Sequence, residues 1–377
     1  MATFVKRTDV ELLGARTLPG RYFTSPEIFA EETDKIFRER WLCVGREEQV
    51  SRPGDYFVQE VAGESIIIVR DRGGNIRAYY NVCRHRGTRL CEEHQGQFSE
   101  TIQCPYHAWT WTLEGKLIGA PSADTIENFN KSDWPLNTVP TALWDGFIFI
   151  NLSEDPEPFE EAYAPMLERV ARFNMGGLKA GRRINYDLKC NWKLIVQNYS
   201  ECYHCPLVHP ALVKVSPPTS GENDLIKGPF LGGYMEIVDE ADSLTMSGQM
   251  CGLPVGENLD PEDHKRVWYY SLFPNVLLSL HPDYVMYHML FPVAPDRTLI
   301  ACEWLFHPDT LSNPKFNPND GVEFWHMTNQ QDWHICEESQ IGISSRAYRP
   351  GPYSRREGLS AAFDQEVLKA LGHRIES

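Results

Sequence analysis

Apolar residues recur along this chain with two periods, and the regions they mark follow one another in order. Near the start, Ser25-Pro26-Glu27 opens a stretch with helical spacing. Ser25 is placed to cap it, Pro26 suits the first turn, and Phe29, Ile36 and Phe37 fall on one face, which predicts a helix over 25–40. From Trp41 to about Leu152 the pattern turns to short runs of β-branched and aromatic residues: Tyr56–Val61, Ser65–Arg70, Ile76–Val82 and Phe147–Leu152. Ala62-Gly63 and Gly73-Gly74-Asn75 supply turn signals between them, so an antiparallel β domain is expected. Asp155-Pro156-Glu157-Pro158 breaks this pattern. Phe159, Tyr163, Met166, Leu167 and Val170 then recur at helical spacing and predict an amphipathic helix over 158–173. Beyond it, strands (Trp268–Ser271, Val285–Phe291, Leu299–Phe306) mix with helices (Trp192–Tyr203, Gly321–Gln340, Phe363–Leu371), while Ser216–Asn223 and Ser312–Asp320 read as loops. The expected class is α+β, with an N-terminal helical segment over 1–40, a β domain over 41–155 and a larger α+β domain over 156–377.

A length of 377 residues fits this division, because one small core does not serve so long a chain. The net charge of −16 excludes non-specific binding to nucleic acid or anionic membrane and suits a cationic ligand, although most acidic proteins have none. No apolar run approaches the roughly 20 residues that span a bilayer, and Met1–Lys6 carries no apolar signal core, so a cytoplasmic location is expected. There the ten cysteines stay reduced and form no disulfide framework; they serve as core residues, metal ligands or reactive thiols.

Four residues break from the core reading. Cys83-Arg84-His85 and Cys104-Pro105-Tyr106-His107 are two mixed Cys/His pairs at the tips of strand-like segments. Two thiolates and two imidazoles suit zinc or a 2Fe–2S cluster. The cluster is favoured because zinc pairs more often span two to four intervening residues, and because Pro105, Tyr106 and Trp109 place bulk around the second pair. Cys91, off the pattern, reads as packing.

The segments NVCRHRGTRL and CPYHAWTW closely resemble the fingerprint of the Rieske non-heme iron oxygenases, with one extra residue between His85 and Cys104 that implies a small loop insertion. The resemblance implies that Cys83 and Cys104 hold one iron of the cluster, and His85 and His107 the other.

A second constellation lies at His204-Cys205-Pro206-Leu207-Val208-His209. Five residues along a straight helix turn the two imidazoles about 140° apart. Pro206, however, disfavours a continuing helix, so the helix is expected to end near His204 and let His209 swing back. Glu201, three residues before His204, is expected on the same face. Two imidazoles and a carboxylate make the facial triad of non-heme Fe(II) oxygenases, and the third ligand must come from elsewhere in the chain. A lone Asp on a helix is usually a solvated surface group. Residues 332–340, however, resemble the family's D-x3-C-E-x2-Q stretch, which implies Asp332 as the ligand over its chemical rivals Glu337 and Glu338.

Further implications follow from the resemblance, which is strongest at 80–112, 191–211 and 326–342. The fold would be an antiparallel β Rieske domain plus a catalytic domain with a central antiparallel sheet flanked by helices. The chain would be the terminal oxygenase component, activating O2 at one mononuclear Fe(II) with electrons from the 2Fe–2S cluster. An NAD(P)H-dependent reductase would supply them, since this chain shows no Gly-rich nucleotide loop. Glu201 stands where many members have Asp; it would bridge a cluster imidazole of one subunit to an iron imidazole of the next in a homotrimer, or else simply orient His204. The Glu, and the stretch Phe273–Met286, are similar to members acting on quaternary amines such as glycine betaine, stachydrine, choline and carnitine, which implies N-demethylation by methyl hydroxylation. Strand aromatics such as Tyr269, Tyr270, Tyr284 and Trp304 are core residues by default, and a few facing the iron would form a cation cage. The alternative within the class is an aromatic-ring hydroxylating mono- or dioxygenase. A non-catalytic electron carrier or zinc-binding module would need only the first motif.

Overall fold

Ala62 and Gly63, both at positive φ (51° and 79°), reverse the chain so that Val61 faces Glu64 across an antiparallel hairpin of strands Asp55–Val61 and Glu64–Arg70. Positive φ at both central residues is what a two-residue hairpin turn demands. The next turn is held by Asp71, whose carboxylate accepts from Asn75 N–H (2.8 Å) and from Arg77 Nε (2.6 Å), and it leads into strand Ile76–Tyr80. These elements belong to a computed structural model that describes residues 15–374. The readings of Met1–Lys6 and of the first fourteen residues of the 1–40 segment lie outside them.

Residues 37–159 form one compact unit. It contains a five-stranded sheet and two three-stranded sheets, all antiparallel. Its core packs Ile67, Tyr79 and Trp111, each fully buried, against Cys83, Cys104 and Trp109.

The second unit joins the described residues up to Ile36 to those from Glu160 onward. A seven-stranded antiparallel sheet runs in the order Lys179–Leu188, Arg297–Phe306, Val285–Ala294, Val276–Leu280, Arg266–Leu272, Phe230–Glu236, Asn223–Leu225. The helices Trp192–Tyr199, Asn319–Ile343 and Gly358–Leu371 pack beside it. The early helix Pro26–Glu32, capped by Ser25 Oγ on Ile28 N–H, continues through a π-helical turn over Thr33–Phe37. Glu32 at its end is fully buried and meets Lys193 Nζ (2.5 Å) and Trp192 Nε1 (2.9 Å).

The α+β class and the antiparallel sheets are as expected, but two helices differ. Residues 158–173 do not form one helix: Phe159–Ala162, Ala164–Leu167 and a 3-10 turn at Ala171–Phe173 replace it. Pro165 cannot donate the backbone bond a continuous helix needs there, yet Phe159, Tyr163, Met166 and Val170 are still buried. The helix expected over Trp192–Tyr203 ends at Tyr199. Ser200 terminates it, with its hydroxyl donating back to Val196 C=O (2.6 Å).

Candidate metal centres

Two loops of the β unit have matching backbone plans. Cys83 N–H donates to Thr88 C=O, and Cys83 C=O accepts from Gly87 N–H; Cys104 N–H donates to Trp109 C=O, and Cys104 C=O accepts from Ala108 N–H. Gly87 (φ 75°) and Ala108 (φ 56°) both occupy the left-handed region that closes such a loop. In each, the cysteine points inward and is buried, while His85 is exposed and His107 partly so. The two imidazole centroids lie 4.7 Å apart, and Trp109 stacks on His85 at 4.9 Å. Burial, reinforced by the adjacent Cys104, pushes the Cys83 thiol up from its ordinary range. Two thiols inside and two imidazoles outside, all from loop tips, are the donor set of a histidine-ligated 2Fe–2S centre. Cys91 is buried in the neighbouring core, its thiol pushed up to about 12 by burial.

In the second unit the chain leaves helix Trp192–Tyr199, makes a turn, and enters two short helices, Cys205–Val208 and Pro210–Val215, with His209 at the bend between them (φ −121°, ψ 64°). His209 Nε2 lies 3.2 Å from His204 Nε2 and 2.8 Å from Asp332 Oδ1, and His204 Nε2 lies 3.3 Å from the same oxygen. Three ligands about 2.1 Å from one metal at right angles would sit about 3 Å from one another, so the spacing fits a facial metal triad. The rival Glu337 accepts from Lys189 N–H (2.9 Å), and Glu338 is exposed.

The other ring nitrogens are held. His204 Nδ1–H donates to Glu201 Oε1 (2.6 Å), and His209 Nδ1–H donates to Gln331 Oε1 (2.8 Å). Both Nε2 atoms are thereby presented to the common point. Burial alone would lower the His204 pKa, but the bonds to Asp332 and Glu201 outweigh it and raise it to about 10. Asp332, which burial would push up, is held below the carboxylate range by the two imidazoles. The site thus draws positive charge, which a divalent metal supplies by displacing the proton.

Glu201 and His204 meet in a turn rather than on one helix face, because the helix has already ended. The expectation that the cysteines stay unpaired is also corrected: Cys202 and Cys205 form a disulfide, their Cα atoms brought to 5.0 Å by that turn. Pairing removes Cys205, 3.8 Å from His204 Nε2, as a thiolate ligand.

A cavity of about 670 Å3, counting its open mouth, adjoins the triad. Tyr199, Tyr269, Trp325, Thr328 and Met235 help line it. Of the strand aromatics singled out from the sequence, Tyr269 lies here, while Tyr270, Tyr284 and Trp304 are core residues. Sequence reasoning missed Gln331, Tyr199 and Trp325. Their signal is faint: Gln331 directly precedes Asp332, and Trp325 and Thr328 precede it by seven and four, the spacing of one helix face.

Fold and donor sets together define an iron-dependent oxygenase component with a redox cluster. The comparisons agree. Residues 40–130 match the Rieske [2Fe-2S] domain and residues 175–373 the ring hydroxylating alpha subunit (catalytic domain). The chain is 30% identical to the glycine betaine monooxygenase oxygenase subunit of Chromohalobacter salexigens, over 91% of this chain and 82% of that protein. It is 32% identical to the carnitine monooxygenase oxygenase subunit of Acinetobacter baumannii, over 89% and 87%. A solved quaternary ammonium Rieske monooxygenase, studied for carnitine oxidation by gut microbiota, superposes with a TM-score of 0.81 at 27% identity, covering 97% of this chain and 96% of that one. This chain belongs to the ring-hydroxylating alpha-subunit family of Rieske non-heme iron oxygenases. It is the oxygenase component of such a system, carrying a 2Fe–2S cluster and a mononuclear iron and working with a reductase on a small-molecule substrate.

Proposed function

We propose that this oxygenase hydroxylates a methyl group of a quaternary ammonium compound and so removes it. The observation that carries this reading is the cavity: it is walled by Tyr199, Tyr269 and Trp325 and opens onto His204, His209 and Asp332. Aromatic faces hold a methylated cation through cation–π attraction, and the net charge of −16 adds long-range pull. The named activities of the glycine betaine and carnitine relatives support it.

In this reading Cys83, Cys104, His85 and His107 hold the cluster, and His204, His209 and Asp332 hold the iron. When bound, the two groups supply one-electron storage and O2 activation. The chain's own residues do the rest. Glu201 and Gln331 keep the two imidazoles in the tautomer that offers Nε2. The aromatic walls orient the substrate and exclude water. The balance is one N-methyl group, O2, two electrons and two protons giving the N-hydroxymethyl ammonium compound and water; the former then splits into formaldehyde, the demethylated tertiary amine and a proton, the C–N bonding pair leaving with the nitrogen. An NAD(P)H-dependent reductase provides the electrons. A homotrimer is part of the proposal, with Glu201 linking centres of adjacent subunits, and exposed Tyr203 (54%) and Leu207 (90%) beside it support a covered surface there. We also assign the protein to the cytoplasm; among the described residues no helix is long and apolar enough to cross a membrane.

The test is turnover with NAD(P)H and a reductase, assaying formaldehyde from quaternary amines against diols or phenols from aromatic acids, alongside metal analysis. Formaldehyde, with iron in excess of the cluster's two atoms per chain, is the expected result. Hydroxylated rings alone would move the protein to the aromatic group, and colourless zinc protein would remove it from catalysis.

A further inference from the structure

Eight of the ten cysteines are free, and the one pair that has joined, Cys202 with Cys205, brackets the metal-site residue His204. The two are only three apart in sequence. Closing so short a loop removes little chain entropy, so a crosslink there stabilises a fold least. C-x-x-C is instead a spacing at which thiols and disulfide interconvert in redox proteins.

The sulfur of Cys205 stands at a ligand's distance from the metal point. Sγ lies 3.8 Å from His204 Nε2, the nitrogen that also faces His209 Nε2 (3.2 Å) and Asp332 Oδ1 (3.3 Å). Ligand atoms of His204, Cys205 and His209 all fall within 4.8 Å of one another. A thiolate about 2.3 Å and an imidazole about 2.0 Å from one zinc ion are about 3.5 Å apart at a tetrahedral angle. While Cys205 is bonded to Cys202 it has no thiolate to give, and the donors are two nitrogens and one oxygen, a set that suits Fe(II) and leaves positions open. Released, Cys205 adds a soft fourth donor, and two imidazoles, a carboxylate and a thiolate suit zinc.

We propose that the Cys202–Cys205 pair is a thiol–disulfide switch that sets which metal the site holds: iron when the pair is joined, zinc when it is open and Cys205 ligates. The proposal rests on the assignment of His204, His209 and Asp332 to the metal. Both cysteines line the cavity, and Cys202 is the less buried of the two. A small thiol such as glutathione attacks Cys202 Sγ; the S–S bond breaks, and its electron pair leaves on Cys205 Sγ beside the metal. A second glutathione thiolate then attacks the mixed disulfide and releases Cys202 with oxidised glutathione. Two thiols are oxidised for one disulfide reduced, and their two protons pass to Cys202 and to Cys205, or to water where a metal takes the Cys205 thiolate.

The test uses the full chain with its cluster in place and the mononuclear metal removed. It is equilibrated without O2 in glutathione buffers of graded thiol-to-disulfide ratio and then freed of glutathione. Thiols are counted by alkylation and mass, Fe(II) and Zn(II) affinities are measured by titration, and Co(II) is added as a spectroscopic reporter. Reducing buffers are expected to expose two more thiols per chain and to raise the ratio of Zn(II) to Fe(II) affinity at least tenfold. Co(II) should then show a sulfur-to-cobalt charge-transfer band in the difference spectrum. Cys202→Ser should show that band at every ratio and Cys205→Ser at none. A bridge that glutathione opens at no ratio would overturn the switch. An affinity ratio equal in both states of the parent protein, or a band that survives in Cys205→Ser, would overturn the ligand role of Cys205 and leave the iron assignment standing. Failure of the joined form to bind Fe(II) at all would overturn that assignment as well.

Discussion

The imidazole of His209 is gripped on both sides by consecutive residues of one helix: Gln331 Oε1 accepts from Nδ1–H at 2.8 Å, and Asp332 Oδ1 lies 2.8 Å from Nε2. The helix Asn319–Ile343 therefore sets both the ring's tautomer and its approach to the metal point. Replacing Gln331 by Leu keeps the bulk and removes the acceptor. Iron affinity is expected to fall about 10–100-fold, read by titrating Fe(II) into the iron-depleted protein. The visible spectrum of the cluster should stay as it is.

Glu201 uses both oxygens. Oε1 accepts from His204 Nδ1–H at 2.6 Å, and Oε2 accepts from the N–H groups of Tyr203 and His204. Glu201→Gln preserves the shape but removes the charge. Reoxidation of the reduced cluster in a single turnover should slow by an order of magnitude or more in rapid-mixing absorbance. Reoxidation at the parent rate would leave Glu201 as an orienter of His204 and nothing else.

Asp364 lies buried against the helix Trp192–Tyr199, accepting from Tyr353 Oη (2.6 Å) and Gln197 Nε2 (2.5 Å). Burial pushes its pKa up to about 7; Tyr353, Gln197 and Lys193 oppose the rise without cancelling it. The folded protein thus holds a proton that the unfolded chain releases near pH 4. This group's contribution is full below that pH and declines as pH rises toward 7, by on the order of 4 kcal/mol. Asp364→Asn should flatten the pH dependence of the urea midpoint between pH 5 and 7, in a direction that favours the variant at neutral pH.

Lys193 and Glu32 are both fully buried and meet at 2.5 Å, with Trp192 Nε1 on the second oxygen of Glu32. Lys193→Met leaves a buried carboxylate with one neutral donor. A loss of about 3–5 kcal/mol is expected in denaturant unfolding. Substituting Glu32→Gln as well should recover much of it, because no charge then remains unpaired.

The β hairpins were legible because their turns need positive φ and the residues there declare it. The edge strand Lys179–Leu188 was not read: one face is open to water, so its apolar residues are too sparse to show a period of two. His204, His209 and Asp332 were singled out by spacing and resemblance, and the structure brings them together. Glu201 was read beside His204, but Gln331 was not, because its contact with His209 exists only once the chain bends at His209. The Cys202–Cys205 bridge escaped notice for a related reason: its proximity comes from a tight turn, whereas the argument against disulfides concerned the compartment.

The matched loops at Cys83 and Cys104 bear on how independently the four donors are held. Each closes on itself through two main-chain hydrogen bonds, Cys83 with Thr88 and Gly87 and Cys104 with Trp109 and Ala108. One thiol facing in and one imidazole facing out are thus set by each loop's own backbone, so a change that opens one loop displaces two donors together and leaves the other pair in place.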